Sequence, residues 1–233
     1  MNVEMEQSNV NTAVIPTPKI EEDCYDWWER HEQVLETQEQ LNPEIVMIGD
    51  SITHFWGGEP RTPGMQEHES WKELFEAYRV MNMGFGWDRT QNVLWRLDHG
   101  ELQGLAPKTV VILIGTNNTS GTGNARENLP GEIVEGLRAI CDRVYRAAPT
   151  AKIVIMAVLP REHKPDHSRR KVIAEINRGY ESLAKERGYA FLDIGEQLLE
   201  TDGTLSAETA PDFCHLSERG YRVWAEALRR LLP

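Results

Sequence analysis

The sequence predicts an α/β protein, a three-layer α/β/α sandwich around a five-stranded parallel sheet. Three observations lead to this fold class. Short apolar runs alternate along the chain with longer stretches whose apolar residues recur at helical spacing. Most of the apolar runs are continuous, which is typical of strands buried on both faces. The chain has 233 residues, 40% of them hydrophobic, which is enough for one sizeable core.

The first half of the chain carries three predicted strands and two predicted helices. A helix is expected over residues 26–40, where Trp27, His31 and Val34 share one face and Pro43 follows. A second helix is expected at residues 88–97, and the strands at residues 45–48, 79–83 and 109–114. Strands separated by helices of about ten or more residues indicate βαβ units and therefore a parallel sheet.

The second half continues the same alternation. Strands are expected at residues 152–159 and 190–192, and helices at residues 129–147, 168–187 and 217–231. Ser168 and Ser217 are candidate N-caps, because a serine side chain can accept from the backbone N–H groups that begin a helix. Gly188 suits the end of the longest helix.

Residues 1–19 are predicted to form a polar arm, and residues 20–233 a single domain. The arm lacks the basic start and apolar run that are typical of a signal peptide. No stretch approaches the ~20 apolar residues that a membrane span requires. We therefore expect a cytoplasmic protein, or a secreted one if a leader was removed.

Charge and cysteine content narrow the classes of function. The formal net charge is −12, which repels phosphate backbones and argues against nucleic acid as a partner. The three cysteines, Cys24, Cys141 and Cys214, include no C-x-x-C pair, so neither a zinc site nor a disulfide framework is predicted. Cys214 stands beside His215, but neighbours in sequence do not form a nucleophile–base pair. No metal or cofactor is expected.

The residues that follow the predicted strands carry the candidate chemistry, because open parallel sheets bind ligands beyond the carboxyl ends of their strands. Ser51 follows the first strand, where a tight turn permitted by Gly49 can present its hydroxyl to a cleft. An N-cap role is the alternative for this serine. Asn117 follows the third strand, and its amide can either donate to an oxyanion or serve the turn.

Glycines follow the second strand, in the sequence NMGFGWD at residues 82–88. They leave backbone N–H groups free at the start of a helix, which suits an anion. A plain strand-to-helix turn is the alternative. The pattern only partly matches the dinucleotide fingerprint G-x-G-x-x-G, because Arg89 occupies the third glycine position. Nucleotide binding is therefore not predicted.

Near the end of the chain, Asp212 precedes His215 by three residues. At that spacing a carboxylate can reach the imidazole Nδ1, fix its tautomer and stabilise the imidazolium that forms in catalysis. A surface histidine beside a helix cap is the alternative. The other six histidines have no such arrangement.

The order serine, glycine, asparagine and Asp-x-x-His resembles the SGNH (GDSL-type) hydrolase family. Residues 93–97 (VLWRL), 100–102 (GEL) and 115–118 (GTNN) resemble the catalytic subunits of intracellular platelet-activating factor acetylhydrolase and related bacterial carbohydrate acetylesterases. The resemblance covers nearly the whole chain. It implies a flavodoxin-like sheet, with Ser51 as nucleophile and with Asp212 and His215 completing a catalytic triad.

The resemblance also implies an oxyanion hole built from the Ser51 N–H, a backbone N–H of the second block and the Asn117 side chain. In the family a glycine directly precedes the aspartate of the second block. Here Trp87 holds that place, and Gly86 stands one residue earlier. Both are candidate donors, Trp87 on the condition that its backbone angles suit a residue with a Cβ. No metal or organic cofactor is implied.

Together these features predict a serine-dependent carboxylic ester hydrolase for short acyl groups, acting on an acetylated carbohydrate such as acetylxylan. Two long loops, at residues 53–70 and 119–128, are expected to border the cleft. Side chains that could bind or stack on a sugar are Trp56, Arg61, Trp87 and Arg89. Core packing and solvated surface charge are the alternatives for these four.

Two other functions remain open at this point. A lipid or thioester hydrolase, such as an acetylhydrolase of the platelet-activating factor type, would need a long apolar groove, and no clear sequence for one is present. A non-catalytic assembly subunit is the third possibility, and the likeness to paired subunits suggests a homodimer. The intact set of Ser51, Asn117, Asp212 and His215 favours an enzyme, with a small-molecule or oligosaccharide ester as its partner.

Overall fold

The computed structural model describes residues 10–62 and 65–233. Within them, a five-stranded parallel sheet forms the middle layer, with its strands in the order β2-β1-β3-β4-β5. The strands are β1 Ile45–Gly49, β2 Val80–Gly84, β3 Thr109–Leu113, β4 Lys152–Met156 and β5 Ala190–Leu192. The predicted fold class is confirmed, and each predicted strand is present with small shifts at its ends.

Helices cover both faces of the sheet. In the described part of the chain they are α1 Trp27–Leu41, α2 Ser51–His54, α3 Glu69–Phe75, α4 Thr90–Asp98, α5 Pro130–Ala147, α6 Ser168–Arg187, α7 Gly195–Leu198 and α8 Glu218–Arg229. Helices α1, α4, α5 and α6 pack on one face with Val46 and Ile48. The other four pack with Ile45 and Met47, because successive side chains of a strand point to opposite faces. None of these helices combines the length and the apolar character needed to cross a bilayer.

Side-chain caps fix the starts of three of the longer helices, α1, α6 and α8. Asp26 caps α1, and Ser217 caps α8 as predicted. The predicted cap of α6 is wrong, because Ser168 is already the first helical residue. The preceding His167 caps this helix, and its ring nitrogen accepts the backbone N–H of Arg169.

Helix α3 was missed by the sequence patterns, which predicted a loop up to residue 70. Its residues Trp71, Leu74 and Phe75 are buried in the same core as α8. A helix of seven residues spans only about two turns, which is too short for a clear helical period. Residues 63 and 64 of the predicted loop lie outside the described residues.

The described part of the predicted N-terminal arm packs on the domain instead of standing apart from it. Residues Thr12–Val14 form a short 3-10 turn in which Ala13 is fully buried. The Thr90 hydroxyl donates to the Ala13 carbonyl at 2.9 Å, and the Thr17 N–H donates to the Gln91 carbonyl at 3.0 Å. The boundary predicted at residue 20 therefore does not match a structural boundary. Residues 1–9 of the predicted arm lie outside the described residues.

Candidate active site

Ser51 is the first residue of α2, directly beyond the carboxyl end of β1. The N-cap of this helix is Asp50, whose side chain accepts the backbone N–H of Ile52 at 3.0 Å. Asp50 therefore has the N-cap role that was the alternative for Ser51. Gly49 permits the close turn, because a Cβ at that position would lie 2.2 Å from Thr53 Oγ1.

His215 reaches Ser51 from the far end of the sequence. Its Nε2 lies 2.8 Å from Ser51 Oγ, and its Nδ1 lies 2.6 Å from Asp212 Oδ2. Both are hydrogen-bond distances, so the three predicted side chains form one continuous chain of hydrogen bonds. A hydroxyl, an imidazole and a carboxylate joined in this order have the geometry that a serine nucleophile, its base and an orienting group require.

A tight loop between α7 and α8 holds the carboxylate and the imidazole together. Asp212 Oδ1 accepts the backbone N–H groups of Cys214 at 3.0 Å and of His215 at 2.7 Å. Burial raises the pKa of Asp212, but the hydrogen bonds from His215 outweigh burial and hold that pKa below its ordinary value. The carboxylate is therefore ionised at neutral pH and can stabilise an imidazolium.

The alternatives to a serine nucleophile find less support. Burial raises the pKa of the Cys214 thiol to about 11, so the reactive thiolate is scarce at neutral pH. The described residues also contain no group of three or more His, Cys, Asp or Glu side chains placed to hold a metal ion.

The turn after β2 distinguishes the two candidate backbone donors. The Gly86 N–H donates to the Tyr25 hydroxyl at 2.8 Å, which removes Gly86 from the predicted oxyanion donors. Trp87 has a φ of 62°, in the left-handed region that favours glycine. The turn thus keeps a glycine-like backbone although it carries an indole. Among the described residues, no acceptor binds the backbone N–H of Trp87 or that of Ser51.

Asn117 opens a 3-10 turn, Asn117–Thr119, that follows β3. Its Nδ2 donates to the backbone carbonyl of Asp88 at 3.0 Å. An amide nitrogen carries two hydrogens, so this bond fixes the side chain and leaves the second hydrogen for another acceptor. The neighbouring Asn118 serves the turn instead, because its Oδ1 accepts the backbone N–H of Thr90.

A network of buried charged side chains supports this side of the site, and the sequence patterns did not reveal it. The Asp88 carboxylate accepts from Trp27 Nε1 and from Arg96 Nε, each at 2.8 Å. Arg96 also pairs with Glu101, which contacts His31 Nδ1 at 3.0 Å. Burial raises the pKa of Asp88 to about 6, although Arg96 acts to lower it. The available signal was an arginine within the otherwise apolar run VLWRL.

Two of the predicted sugar-binding residues do not face a cleft. Trp56 is fully buried and stacks on Trp224 at 4.4 Å between ring centroids, so its indole belongs to the core. Arg89 is also buried, and its guanidinium donates to backbone carbonyls. Arg61 is exposed and forms an ion pair with Glu67 at 2.5 Å. Of the four, Trp87 alone has an exposed aromatic ring, at 46%, and it directly precedes Asp88, whose carbonyl holds the Asn117 amide.

A cavity of about 450 Å³ opens beside the triad. Its walls combine the apolar residues Phe55, Pro211 and Leu216 with polar side chains, among them Gln66, His68, Asp212, His215 and Glu218. The first long loop therefore borders the cleft, as predicted. The second loop folds away after its first residues, because Thr122 Oγ1 donates to Glu21 and Asn124 Nδ2 donates to the Ile20 carbonyl.

Comparison with known proteins agrees with this geometry. The α2 subunit of platelet-activating factor acetylhydrolase IB from Rattus norvegicus is 33% identical over 230 residues, covering 98% of this chain and 93% of that protein. The α1 subunit from Homo sapiens is 35% identical over 226 residues, covering 95% and 90%. The structure of an acetyl-xylooligosaccharide esterase variant from Geobacillus Stearmophilus has a TM-score of 0.65 at 19% identity, covering 82% of this chain and 94% of that one.

The family follows from a match over most of the chain. The sequence model of the GDSL-like lipase/acylhydrolase family matches residues 47–223, a span that includes the end of β1, the turns after β2 and β3, and the Asp-x-x-His loop. Ester hydrolysis is the reaction class of the acetylhydrolase relatives. This chain belongs to the GDSL-like lipase/acylhydrolase family and is an ester hydrolase.

Proposed function

We propose that Ser51 is the nucleophile of this hydrolase and that its substrates are short acyl esters, acetyl esters above all. The observation that carries the proposal is the hydrogen-bonded chain from Ser51 Oγ through His215 to Asp212, with separations of 2.8 Å and 2.6 Å. A base within this distance of a hydroxyl can take its proton as the hydroxyl attacks.

The reaction proceeds in two halves. His215 Nε2 takes the Ser51 proton while Oγ bonds to the carbonyl carbon, and the imidazolium then protonates the departing alcohol. In the second half, His215 deprotonates a water molecule that attacks the acyl-enzyme, and the imidazolium returns this proton to Ser51 Oγ as the bond to the acyl carbon breaks and the carboxylic acid leaves. Asp212 keeps the imidazole in the required tautomer and stabilises its charged form.

Negative charge on the carbonyl oxygen is met by fixed hydrogen-bond donors. The N–H groups of Ser51 and Trp87 and the second amide hydrogen of Asn117 supply them. Because the Asp88 carbonyl already holds the Asn117 amide at 3.0 Å, this donor does not need to reorient as charge develops.

We further propose that the Trp87 ring limits the acyl group to a short chain. The ring adjoins a backbone donor, is 46% exposed, and stands where family members carry a glycine. A bulky ring beside the carbonyl leaves room for a methyl group in preference to a longer chain.

For the alcohol side we propose a carbohydrate, such as an acetylated xylo-oligosaccharide. Support comes from three polar side chains in the cavity beside the triad, because Gln66, His68 and Glu218 can form hydrogen bonds with sugar hydroxyls. The fold-level likeness to an acetyl-xylooligosaccharide esterase agrees with this choice. Trp56 and Arg89 do not contribute to it, because both are buried.

A second candidate is an acetyl ester of the platelet-activating factor type. The higher identity to acetylhydrolase subunits, 33% and 35%, favours it. A homodimer and a cytoplasmic location stay predictions.

The experiment that separates these candidates compares kcat/KM on acetylated xylo-oligosaccharide with kcat/KM on a short-chain acetylated phospholipid. We expect the sugar to be preferred, and Ser51→Ala to abolish turnover of both. A preference for the phospholipid by roughly tenfold, about 1.4 kcal/mol in transition-state binding, would favour the second candidate.

A further inference from the structure

Three arginines from different parts of the chain converge on Ser120, and we call them the arginine cluster: Arg89, Arg161 and Arg169. Arg89 Nη2 donates to the Ser120 carbonyl at 2.8 Å, and Arg169 Nη1 donates to its hydroxyl at 2.7 Å. Arg161 Nη1 lies 3.5 Å from the same hydroxyl and 3.5 Å from Thr116 Oγ1. Fewer than three guanidinium groups would suffice to hold one serine in place by hydrogen bonds.

The hydrogen-bond donors of the cluster exceed the acceptors around it. Each guanidinium carries five N–H donors. The Nε atoms of Arg89 and Arg161 are buried and have no hydrogen-bond partner among the described residues. Unsatisfied buried donors are costly and uncommon, so these two leave the cluster incomplete without a further acceptor.

The carboxylates around the cluster lie at longer range. Glu162 Oε1 lies 3.9 Å from Arg161 Nε and 3.6 Å from Arg169 Nε. Glu21 acts on Arg89, and Glu127 acts on Arg169. Among the described residues, no carboxylate forms a hydrogen bond with the cluster, so its guanidinium groups keep donors for an anionic ligand.

The arginine cluster borders the catalytic centre. The Ser120 N–H donates to the Asn117 carbonyl at 3.1 Å, so Ser120 ends the turn that Asn117 opens. Burial raises the pKa of Asp50 and of Cys214, and the charge of Arg161 acts to lower both. These residues directly precede Ser51 and His215. The guanidinium of Arg161 therefore acts on the residue before each of them, and its Nη1 lies 3.5 Å from Thr116 Oγ1, one residue before Asn117.

We propose that Arg161 and Arg169 of the arginine cluster bind an anionic group, a carboxylate or a phosphate, on the alcohol part of the ester substrate, while the buried Arg89 holds Ser120 in place. The inference rests on the proposed ester hydrolase function and narrows its substrate class to acidic esters. Guanidinium groups match the geometry of both oxyacids and bind them with paired hydrogen bonds. Arg161 contributes most to this contact, because it is the member with the fewest close partners of its own.

The test uses three acetylated methyl glycosides that share one ring and differ at C6: a carboxylate, a phosphate and a neutral hydroxymethyl group. Acetate release gives kcat/KM for each. We expect the wild-type protein to prefer at least one anionic glycoside by roughly tenfold, or about 1.4 kcal/mol. Whether the carboxylate or the phosphate is preferred identifies an acidic sugar or a phosphorylated alcohol as the natural class.

Single variants assign the preference to the cluster. Arg161→Met and Arg169→Met should bring the anionic-to-neutral ratio close to one, whereas Arg161→Lys should keep part of it. Arg146→Met is the matched control, because Arg146 lies in the exposed last turn of α5, toward the amino ends of the strands. Its ratio should equal that of the wild type. Thermal melts confirm that each variant is folded.

Binding to Ser51→Ala protein separates this inference from the proposed function. In calorimetric titrations we expect the anionic glycosides to bind about tenfold more tightly than the neutral one, a result that needs no turnover. Equal affinity and equal kcat/KM for all three compounds would overturn the inference while leaving ester hydrolysis intact. A preference that survives both methionine variants would overturn it as well.

Discussion

The two sides of the candidate active site are built in different ways. On the oxyanion side, the Asp88 carboxylate is held by Trp27, 61 residues away, and by Arg96, and all three side chains are buried. On the acid–base side, Asp212 binds His215 within one turn of chain, with side chains that are 56% and 36% exposed. One side depends on distant contacts in a dry interior, and the other on local contacts near water.

This difference predicts how substitutions on each side affect stability and catalysis. Removing one partner of a buried ion pair leaves an uncompensated charge in a medium of low polarity, which destabilises the fold strongly. An exposed pair contributes little to the free energy of unfolding. We therefore expect substitutions on the acid–base side to abolish chemistry in a stable protein, and those on the oxyanion side to weaken both stability and chemistry.

The largest expected effect is on the acid–base side. Ser51→Ala or His215→Ala should each reduce ester turnover by on the order of 10⁴-fold, because triad members act as a unit. The melting temperature should stay close to that of the wild type. Steady-state rates on a chromogenic acetyl ester, together with thermal melts, measure both quantities. Near-normal turnover in folded Ser51→Ala protein would refute the mechanism.

The next effect is on the stability of the oxyanion side. Arg96→Met should lower the free energy of unfolding by about 3–5 kcal/mol, because Asp88 and Glu101 lose a shared buried cation. Arg222→Met is the matched control: its ion pair with Glu73 is exposed, and its loss should change stability by at most about 1 kcal/mol. Urea denaturation measures both. Similar losses in the two variants would contradict the contrast between the two sides.

A smaller effect is expected for Asn117, the proposed side-chain donor of the oxyanion hole. Asn117→Ala should lower kcat by about 10²- to 10³-fold, the usual loss for one oxyanion donor. KM should change little, since this contact strengthens only as charge develops. If KM rises while kcat is unchanged, Asn117 binds the ground state instead.

The Trp87 ring offers a test of selectivity. Trp87→Gly and Trp87→Ala should both raise activity on butyrate esters relative to acetate esters, because each removes the ring. They differ only in the Cβ at a φ of 62°, so a stability gain confined to the glycine variant would come from the backbone. An unchanged acyl-length profile in both variants would show that the ring points away from the acyl group.

The last effect is a dependence of stability on pH and concerns Asp50, a buried carboxylate that lacks the arginine partner of Asp88. Burial raises the pKa of Asp50 to about 7, so the folded protein retains a proton that the unfolded chain releases near pH 4. This group therefore makes stability fall as pH rises from about 4 to 7. Asp50→Asn keeps the N-cap and removes the titration. Its stability relative to wild type should be higher at pH 8 than at pH 5, and an equal difference at both values would contradict this origin.

Much of the architecture is readable from local sequence. The predicted strands and long helices are present, and residues 168–187 form a helix with the predicted bounds. Whether a segment forms a helix or a strand follows from the spacing of its apolar residues, and that spacing can be read from neighbouring positions alone. The Asp-x-x-His pair is local in the same sense, because three residues of a tight loop suffice to bring the carboxylate to the imidazole.

Only the tertiary structure decided the roles of Trp56, Gly86 and Asp88, and it alone brought the arginine cluster together. An indole such as that of Trp56 can stack on a ligand or fill a core, and its sequence neighbours do not distinguish the two. Whether the Gly86 N–H is free to act as an oxyanion donor depends on its hydrogen bond to Tyr25, which lies 61 residues away in the sequence. Contacts at such separations depend on how the layers pack. The sequence therefore determined the elements and the Asp-x-x-His pair, whereas packing brought His215 to Ser51 and determined which polar atoms are already bound and which remain free.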